Sequence, residues 1–250
     1  MKKRLLLYID FLGFSELVKS QSLKESLKFY RRTLIEYEFL KIEKKYDINF
    51  EIISDSIFIW IESPDNYRAA IKLFAIASKI SSQSIIKKRP IRGAIIFDEF
   101  KIGEKKFKII KSEIKSHLIL GKGIISGHRW EQIQEWIGIS VNPICIEEIN
   151  KEFRGLFTEL NDLKLLAEYN IPTKHGLIKS YAINSFYQSH FLGKYKTKND
   201  VTIINKSYSD AFSELKSTTY DFNILSKITN TEIFYNYITS HNLIINDLIE

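Results

Sequence analysis

Two aspartates stand in this sequence where divalent cations could be held. Asp10 closes an apolar run, Arg4-Leu5-Leu6-Leu7-Tyr8-Ile9, and Phe11-Leu12-Gly13-Phe14-Ser15 follows it. Asp55 sits with Ser54 between two β-rich runs, Asn49 to Ile53 and Ser56 to Ile61, in a hairpin pattern. If the first strand and this hairpin are neighbours at the centre of one sheet, the two carboxylates meet at one edge. Hard oxygen ligands beside a bound triphosphate suit Mg2+ or Mn2+, which keeps waters and phosphate oxygens as its remaining ligands. Two such ions ~4 Å apart can activate a 3′-hydroxyl and neutralise an α-phosphate together. The backbone N–H groups of Leu12, Gly13, Phe14 and Ser15, opening a helix, would cradle the triphosphate. Either aspartate alone would ordinarily be a turn former or a helix cap. The pair is what argues for metal.

The pair depends on the elements around it. Residues 4–9 read as a buried strand, 15–45 as a helix N-capped by Ser15, and 49–53 with 56–61 as a hairpin. Residues 65–87 read as a second helix carrying the apolar stripe Ala69, Ile71, Leu73, Phe74 and Ile76. Pro90 to Ile96 is a strand, Lys101 to Lys115 a Lys-rich hairpin or loop, Leu118 to Leu120 a short strand, and Gly123 to Glu135 a helix. Ile137 to Val141 and Ile178 to Ile183 look like further strands, and beyond Tyr195 the signal is helical and polar. The order β-α-β-β-α-β is the ferredoxin-like α+β arrangement, an antiparallel central sheet with helices on one face, here with a C-terminal helical extension. Many functions use that fold, so it decides nothing alone.

With 44% hydrophobic and 27% charged residues in 250, the chain can form a packed core and is not wholesale disordered. Its net charge of +7 suits an anionic partner such as a triphosphate. The lysines are scattered and the aromatics fall mainly at apolar-periodic positions, so no nucleic-acid partner is expected. The one cysteine, Cys145, offers neither an internal disulfide nor a metal-ligand cluster, which fits a reducing cytoplasm. The start, Met1-Lys2-Lys3-Arg4-Leu5-Leu6-Leu7, imitates a signal peptide, but Asp10 interrupts the apolar run. No run approaches the ~18 apolar residues of a membrane helix. A soluble, cytoplasmic protein without a membrane partner is expected.

Tyr8-Ile9-Asp10-Phe11-Leu12-Gly13-Phe14-Ser15 and Ile52-Ile53-Ser54-Asp55-Ser56-Ile57-Phe58 resemble the two metal motifs of class III adenylyl and guanylyl cyclases, at the family's separation. Ile91-Arg92-Gly93-Ala94-Ile95 falls where that family has its Arg-x-Gly-Ile strand. Gly121 to Glu131 falls where it has a Gly, an Asn and an Arg; Arg129 keeps the Arg position and Ile125 replaces the Asn. Lys174-His175-Gly176-Leu177-Ile178-Lys179-Ser180-Tyr181 is similar to its closing Lys-Gly hairpin. Arg92-Gly93-Ala94-Ile95, Gly121-Lys122-Gly123-Ile124 and Glu131 followed by Gln134-Glu135-Trp136-Ile137-Gly138-Ile139 are most similar to the Pycsar cyclases, bacterial antiphage enzymes that make cyclic UMP or cyclic CMP.

The resemblance implies a class III catalytic domain over residues 1–190 and the helical extension over 191–250. It implies two metal ions, Mg2+ or Mn2+, on Asp10, Asp55 and Phe11, with Lys174 on the β- and γ-phosphates. Arg129 would stabilise charge at the α-phosphate from the opposite protomer of a homodimer with shared sites. Glu51, four residues before Asp55 and on the same face of a regular strand, falls where the family reads the base. A carboxylate there permits cytosine or uracil and does not exclude guanine. Phe50, if it turned inward, would narrow the pocket toward a pyrimidine, although the pleat points it away. The implied activity is cyclisation of UTP, or of CTP, to a messenger read by a cyclic-nucleotide-responsive effector. Ile125 in place of the Asn favours a catalytically dead, nucleotide-binding cyclase-like domain as the alternative. A diguanylate-cyclase or polymerase palm shares the topology but generally carries adjacent acidic residues in the hairpin, where Ser54-Asp55-Ser56 has one.

Overall fold

The computed structural model describes residues 2–14, 19, 22, 24, 48–63, 66–109, 112–186, 198–219 and 221–241. The helix expected over 15–45, with Ser15 as its cap, lies almost wholly outside them. Strand β1 (Lys3–Phe11) runs through the middle of a sheet, paired antiparallel with β3 (Ser56–Ile61) on one side and β4 (Ile91–Glu99) on the other. Strand β2 (Ile48–Ile53) forms the expected hairpin with β3. Leu5, Leu6, Leu7 and Ile9 have no exposure. Burying each such side chain stabilises the fold by about 1.5–3 kcal/mol, so β1 is an anchor of the core.

Beyond β4 the sheet is larger than the sequence shows. A β5–β6 hairpin (Lys101–Ile109, Ser112–Leu120) forms a separate two-stranded sheet. Strands β7 (Gly138–Val141), β9 (Gly176–Ile183) and β8 (Leu166–Thr173) extend the main sheet to seven strands in the order β2-β3-β1-β4-β7-β9-β8. The sheet is antiparallel except at β4–β7, which pair in parallel.

Helix α1 (Tyr67–Ile86) begins at Asn66, whose Oδ1 accepts from Ala69 N at 3.0 Å. Among the described residues it is the one helix long and apolar enough to cross a membrane, closer to that pattern than the sequence reading allowed. It is the core helix instead, burying Ala69, Ala70, Leu73, Phe74, Ile80 and Ile85. Helix α2 (Lys122–Ile133) follows β6; two short helices, α3 (Ile146–Glu152) and α4 (Leu156–Asp162), follow β7.

The helices occupy both faces of the sheet, a correction to the one-faced arrangement expected. Residues paired across strands share a face, so Tyr8, Asp10, Ser56, Phe58, Arg92, Ala94, Ser140 and Ala182 lie together. Helix α2 covers part of that face. A Cβ on Gly127 would meet Ile96 Cδ1 at 2.6 Å and Tyr8 Cβ at 3.4 Å, so the helix lies close over these side chains. Tyr181, on the opposite face, stacks on Phe157 of α4 with centroids 4.5 Å apart, and Phe157 meets Phe74 of α1.

The C-terminal extension is two helices, α5 (Lys198–Thr218) and α6 (Phe222–Ser240), whose aromatic residues enter the same core. The Tyr208 hydroxyl lies 2.6 Å from Ser82 Oγ of α1 and donates to Ser185 O at 3.1 Å. Phe234 meets Trp136 edge to face at 5.0 Å, and Thr231 Oγ1 accepts from Ile137 N at 2.8 Å.

Candidate active site at the end of β1

Strand β1 ends on Asp10, paired with Ser56 of β3 and Arg92 of β4. The β2–β3 turn is Ser54-Asp55, with Ser54 at φ 54°, a left-handed value that costs about 1–2 kcal/mol outside glycine. Phe11 N donates to Asp55 O at 3.2 Å, tying this turn to the end of β1. The two aspartates therefore meet at one end of the sheet, as the sequence predicts. Leu12 N donates to Pro90 O at 2.9 Å, Gly13 takes the left-handed φ of 76°, and Phe14 is buried. Ser15 lies outside the described residues.

The electrostatics at Asp10 are unusual for a carboxylate. Burial pushes its pKa up to about 7, Glu131 and Asp55 push in the same direction, and a hydrogen bond from Ser56 and the nearby Arg92 oppose them. A half-buried acid facing two more acids is a site with too much negative charge, and a bound cation would relieve it. Among the described residues no three His, Cys, Asp or Glu side chains form a closed metal cluster. An oxygen-only pair left open to water and phosphate fits Mg2+ or Mn2+ and suits no thiolate- or imidazole-seeking metal.

Glu131 is the residue that sequence reasoning missed as part of this site. It is 1% exposed on α2, and Arg92, 9% exposed, binds it through Nε at 2.6 Å and Nη2 at 2.5 Å. Arg92 Nη1 donates to Gln134 O at 2.8 Å. The Gln134 side chain donates to Gly93 O and accepts from Trp136 Nε1 and Ser140 Oγ. This polar network clamps α2 to β4 and β7 beside Asp10. Burial raises the Glu131 pKa, against the lowering effect of Arg92, His128 and Lys174.

The other candidate residues divide. Lys174 is exposed in the β8–β9 turn, and its N–H donates to Ile133 O at 2.8 Å, which brings the turn to the end of α2 within the field of Glu131. Glu51 pairs with Phe58 and so lies on the face of Asp10; its carboxylate is 3.6 Å from His117 Nε2 of β6. Phe50 pairs with Ile59 on the opposite face and packs against the core, so it does not join Glu51 in a pocket. Arg129 is exposed on the outer side of α2. It lines a cavity of about 540 Å³ with Asp98, Lys122, Ile125, Trp130 and Ile144, away from Asp10 and Asp55.

No family model matches the chain, and no curated protein does. Solved structures similar to it include the guanylate cyclase domain of RhGC from Catenaria anguillulae in complex with GTP, 14% identical, with a TM-score of 0.47 over 73% of this chain and 96% of that one. The adenylyl cyclase CyaB from P. aeruginosa is 15% identical, with a TM-score of 0.44 over 73% of this chain and 94% of that one. A bacterial light-regulated adenylyl cyclase is 13% identical, with a TM-score of 0.45 over 83% of this chain and 58% of that one.

Proposed function

We propose that this protein is a nucleotidyl cyclase that converts UTP, or CTP, to the 3′,5′-cyclic monophosphate and diphosphate. The observation that carries the reading is the meeting of Asp10 and Asp55 at one end of the sheet, with Asp10 buried in a field of like charge. Asp10, Asp55 and Phe11 would hold two divalent ions, which when bound supply charge neutralisation at the α-phosphate and activation of the 3′-hydroxyl. The turn through Leu12, Gly13, Phe14 and Ser15 would bind the triphosphate through its N–H groups, with Lys174 on the outer phosphates. Glu51 would read the base by accepting from it.

Arg129 lines a cavity that neither Asp10 nor Asp55 lines, which supports its serving the site of a second copy, with exposed Ile125 and Ile144 beside it in the contact. The remaining parts of the proposal rest on the motif resemblance alone. They are an antiphage role, a downstream cyclic-nucleotide-responsive effector, and a division into a catalytic domain over residues 1–190 and an extension; a cytoplasmic location rests instead on the single cysteine and the interrupted apolar start. A second reading, a cyclase-like domain that binds nucleotide without turnover, is favoured by one observation: Ile125, 55% exposed, stands where the family has a polar contact to the ribose.

The experiment is incubation of the purified protein with Mn2+ and each of ATP, GTP, CTP and UTP, with products identified by mass. A cyclic monophosphate from a pyrimidine triphosphate alone supports the proposal. A purine product overturns the base assignment, and no product from any of the four, with dimer and metal binding verified, moves the conclusion to the second reading.

A further inference from the structure

A file of polar atoms crosses the sheet face from α2 to Asp10. Ser56 Oγ donates to Asp10 Oδ1 at 3.2 Å, the Tyr8 hydroxyl lies 3.0 Å from Ser56 Oγ, and His128 Nδ1 lies 3.2 Å from the Tyr8 hydroxyl. Each hydroxyl carries one hydrogen. Ser56 gives its hydrogen to Asp10, so it accepts from Tyr8. Tyr8, having given its hydrogen to Ser56, accepts from His128. With Asp10 ionised the file has one direction, from His128 Nδ1–H to the carboxylate, and this fixes the imidazole tautomer.

The links are held from the sides. Tyr8 is 4% exposed and its ring lies against Phe58, with centroids 5.2 Å apart, and edge-on to His128 at 5.9 Å. Burial pushes the Tyr8 phenol up to about 12, so it stays an O–H donor at neutral pH. His128 itself is about half exposed, with Glu131 Oε2 4.0 Å from Nδ1 on its inner side.

We propose that Tyr8 and His128 are positioning residues for Asp10, aiming its carboxylate at a divalent cation through Ser56. This rests on the metal role given to Asp10 above. Neither residue touches the cation or the nucleotide in this scheme. A donor fixed on Oδ1 holds one carboxylate lone pair and one rotamer, leaving the remaining lone pairs for the ion. Outer partners of this kind change metal affinity by about 10–100-fold when removed.

The test is titration of Mn2+ alone, without nucleotide, into wild type and variants, with free Mn2+ followed by electron paramagnetic resonance and thermal unfolding measured in EDTA. Tyr8→Phe is expected to weaken Mn2+ binding about tenfold. His128→Ala, at a site exposed enough not to disturb folding, should weaken it in the same direction, and His128→Gln should recover part of the loss because its amide can donate to Tyr8. Unfolding temperatures of the His128 variants should match wild type. If both His128→Ala and Tyr8→Phe bind Mn2+ as wild type does while Asp10→Ala loses it, the positioning role is overturned and the metal site stands. If Asp10→Ala also binds as wild type, the metal assignment itself falls and this inference with it.

Discussion

The two sides of helix α2 are built to opposite rules. Its inner side carries Gly127, Trp130 and Glu131, all buried, and is fastened by Arg92 and Gln134 to the sheet. Its outer side carries Lys122, Ile125 and Arg129, all exposed. The inner side uses fully partnered polar groups to fix a position. The outer side leaves two cations and an apolar side chain open, as a surface made to meet something else would. In the roles proposed here, a helix of twelve residues thus serves its own Asp10 from one side and another copy from the other.

The largest effect expected falls on the inner side. Glu131→Ala leaves the Arg92 guanidinium buried without its partner, and loss of one member of a buried pair costs about 3–5 kcal/mol. Urea unfolding should show that loss, and an unchanged midpoint would remove the contrast between the two sides. Next, Arg129→Ala on the outer side should leave the unfolding midpoint alone while lowering kcat about 10²–10³-fold, the range for deleting a donor to transition-state charge. Mixing Arg129→Ala with Asp55→Ala protein should restore activity through heterodimers, and no recovery would return Arg129 to its own protomer.

A smaller effect concerns Asp10 and pH. Its carboxyl is raised from 3.8 to about 7, so the ionised form is disfavoured by folding. The stability this group contributes is complete below its unfolded value and is lost as pH rises through 7. In EDTA, Asp10→Asn should therefore unfold at a higher temperature than wild type above pH 7 and show no gain at low pH, and with Mn2+ restored it should abolish turnover. The smallest effect belongs to Ile125→Asn, which should raise turnover by less than about tenfold, the scale of one hydrogen bond. A larger gain would mark Ile125 as the lesion that silences the domain.

The legible parts of this molecule are those written in short, strong local patterns. The Leu5-Leu6-Leu7 strand, the hairpin around Ser54-Asp55 and the apolar stripe of α1 fall where periodicity puts them, and strand register then brings Asp10 and Asp55 together. Strand β8 escaped because it alternates weakly and contains Pro172 and Asn170, as an edge strand can. Helices α3 and α4 are too short for periodicity to declare them. Strand alternation from Asp10 would have put Tyr8 on the site's face. Nothing local links Tyr8 to His128, 120 positions on, or Arg92 to Glu131, because those are contacts of the folded sheet and helix. Phe50 follows the pleat, which points it at the core.

Gly127 lets α2 lie close over Ile96 and Tyr8 of the sheet. An alanine there would meet Ile96 Cδ1, the outermost atom of a flexible side chain, so that atom must turn aside for the helix to keep its seat. His128 and Arg129 follow directly, so any shift of the helix at this point would be carried to both. The same geometry names its own suppressor. Ile96→Val deletes the atom that the new methyl would meet, so it should reduce whatever stability Gly127→Ala costs.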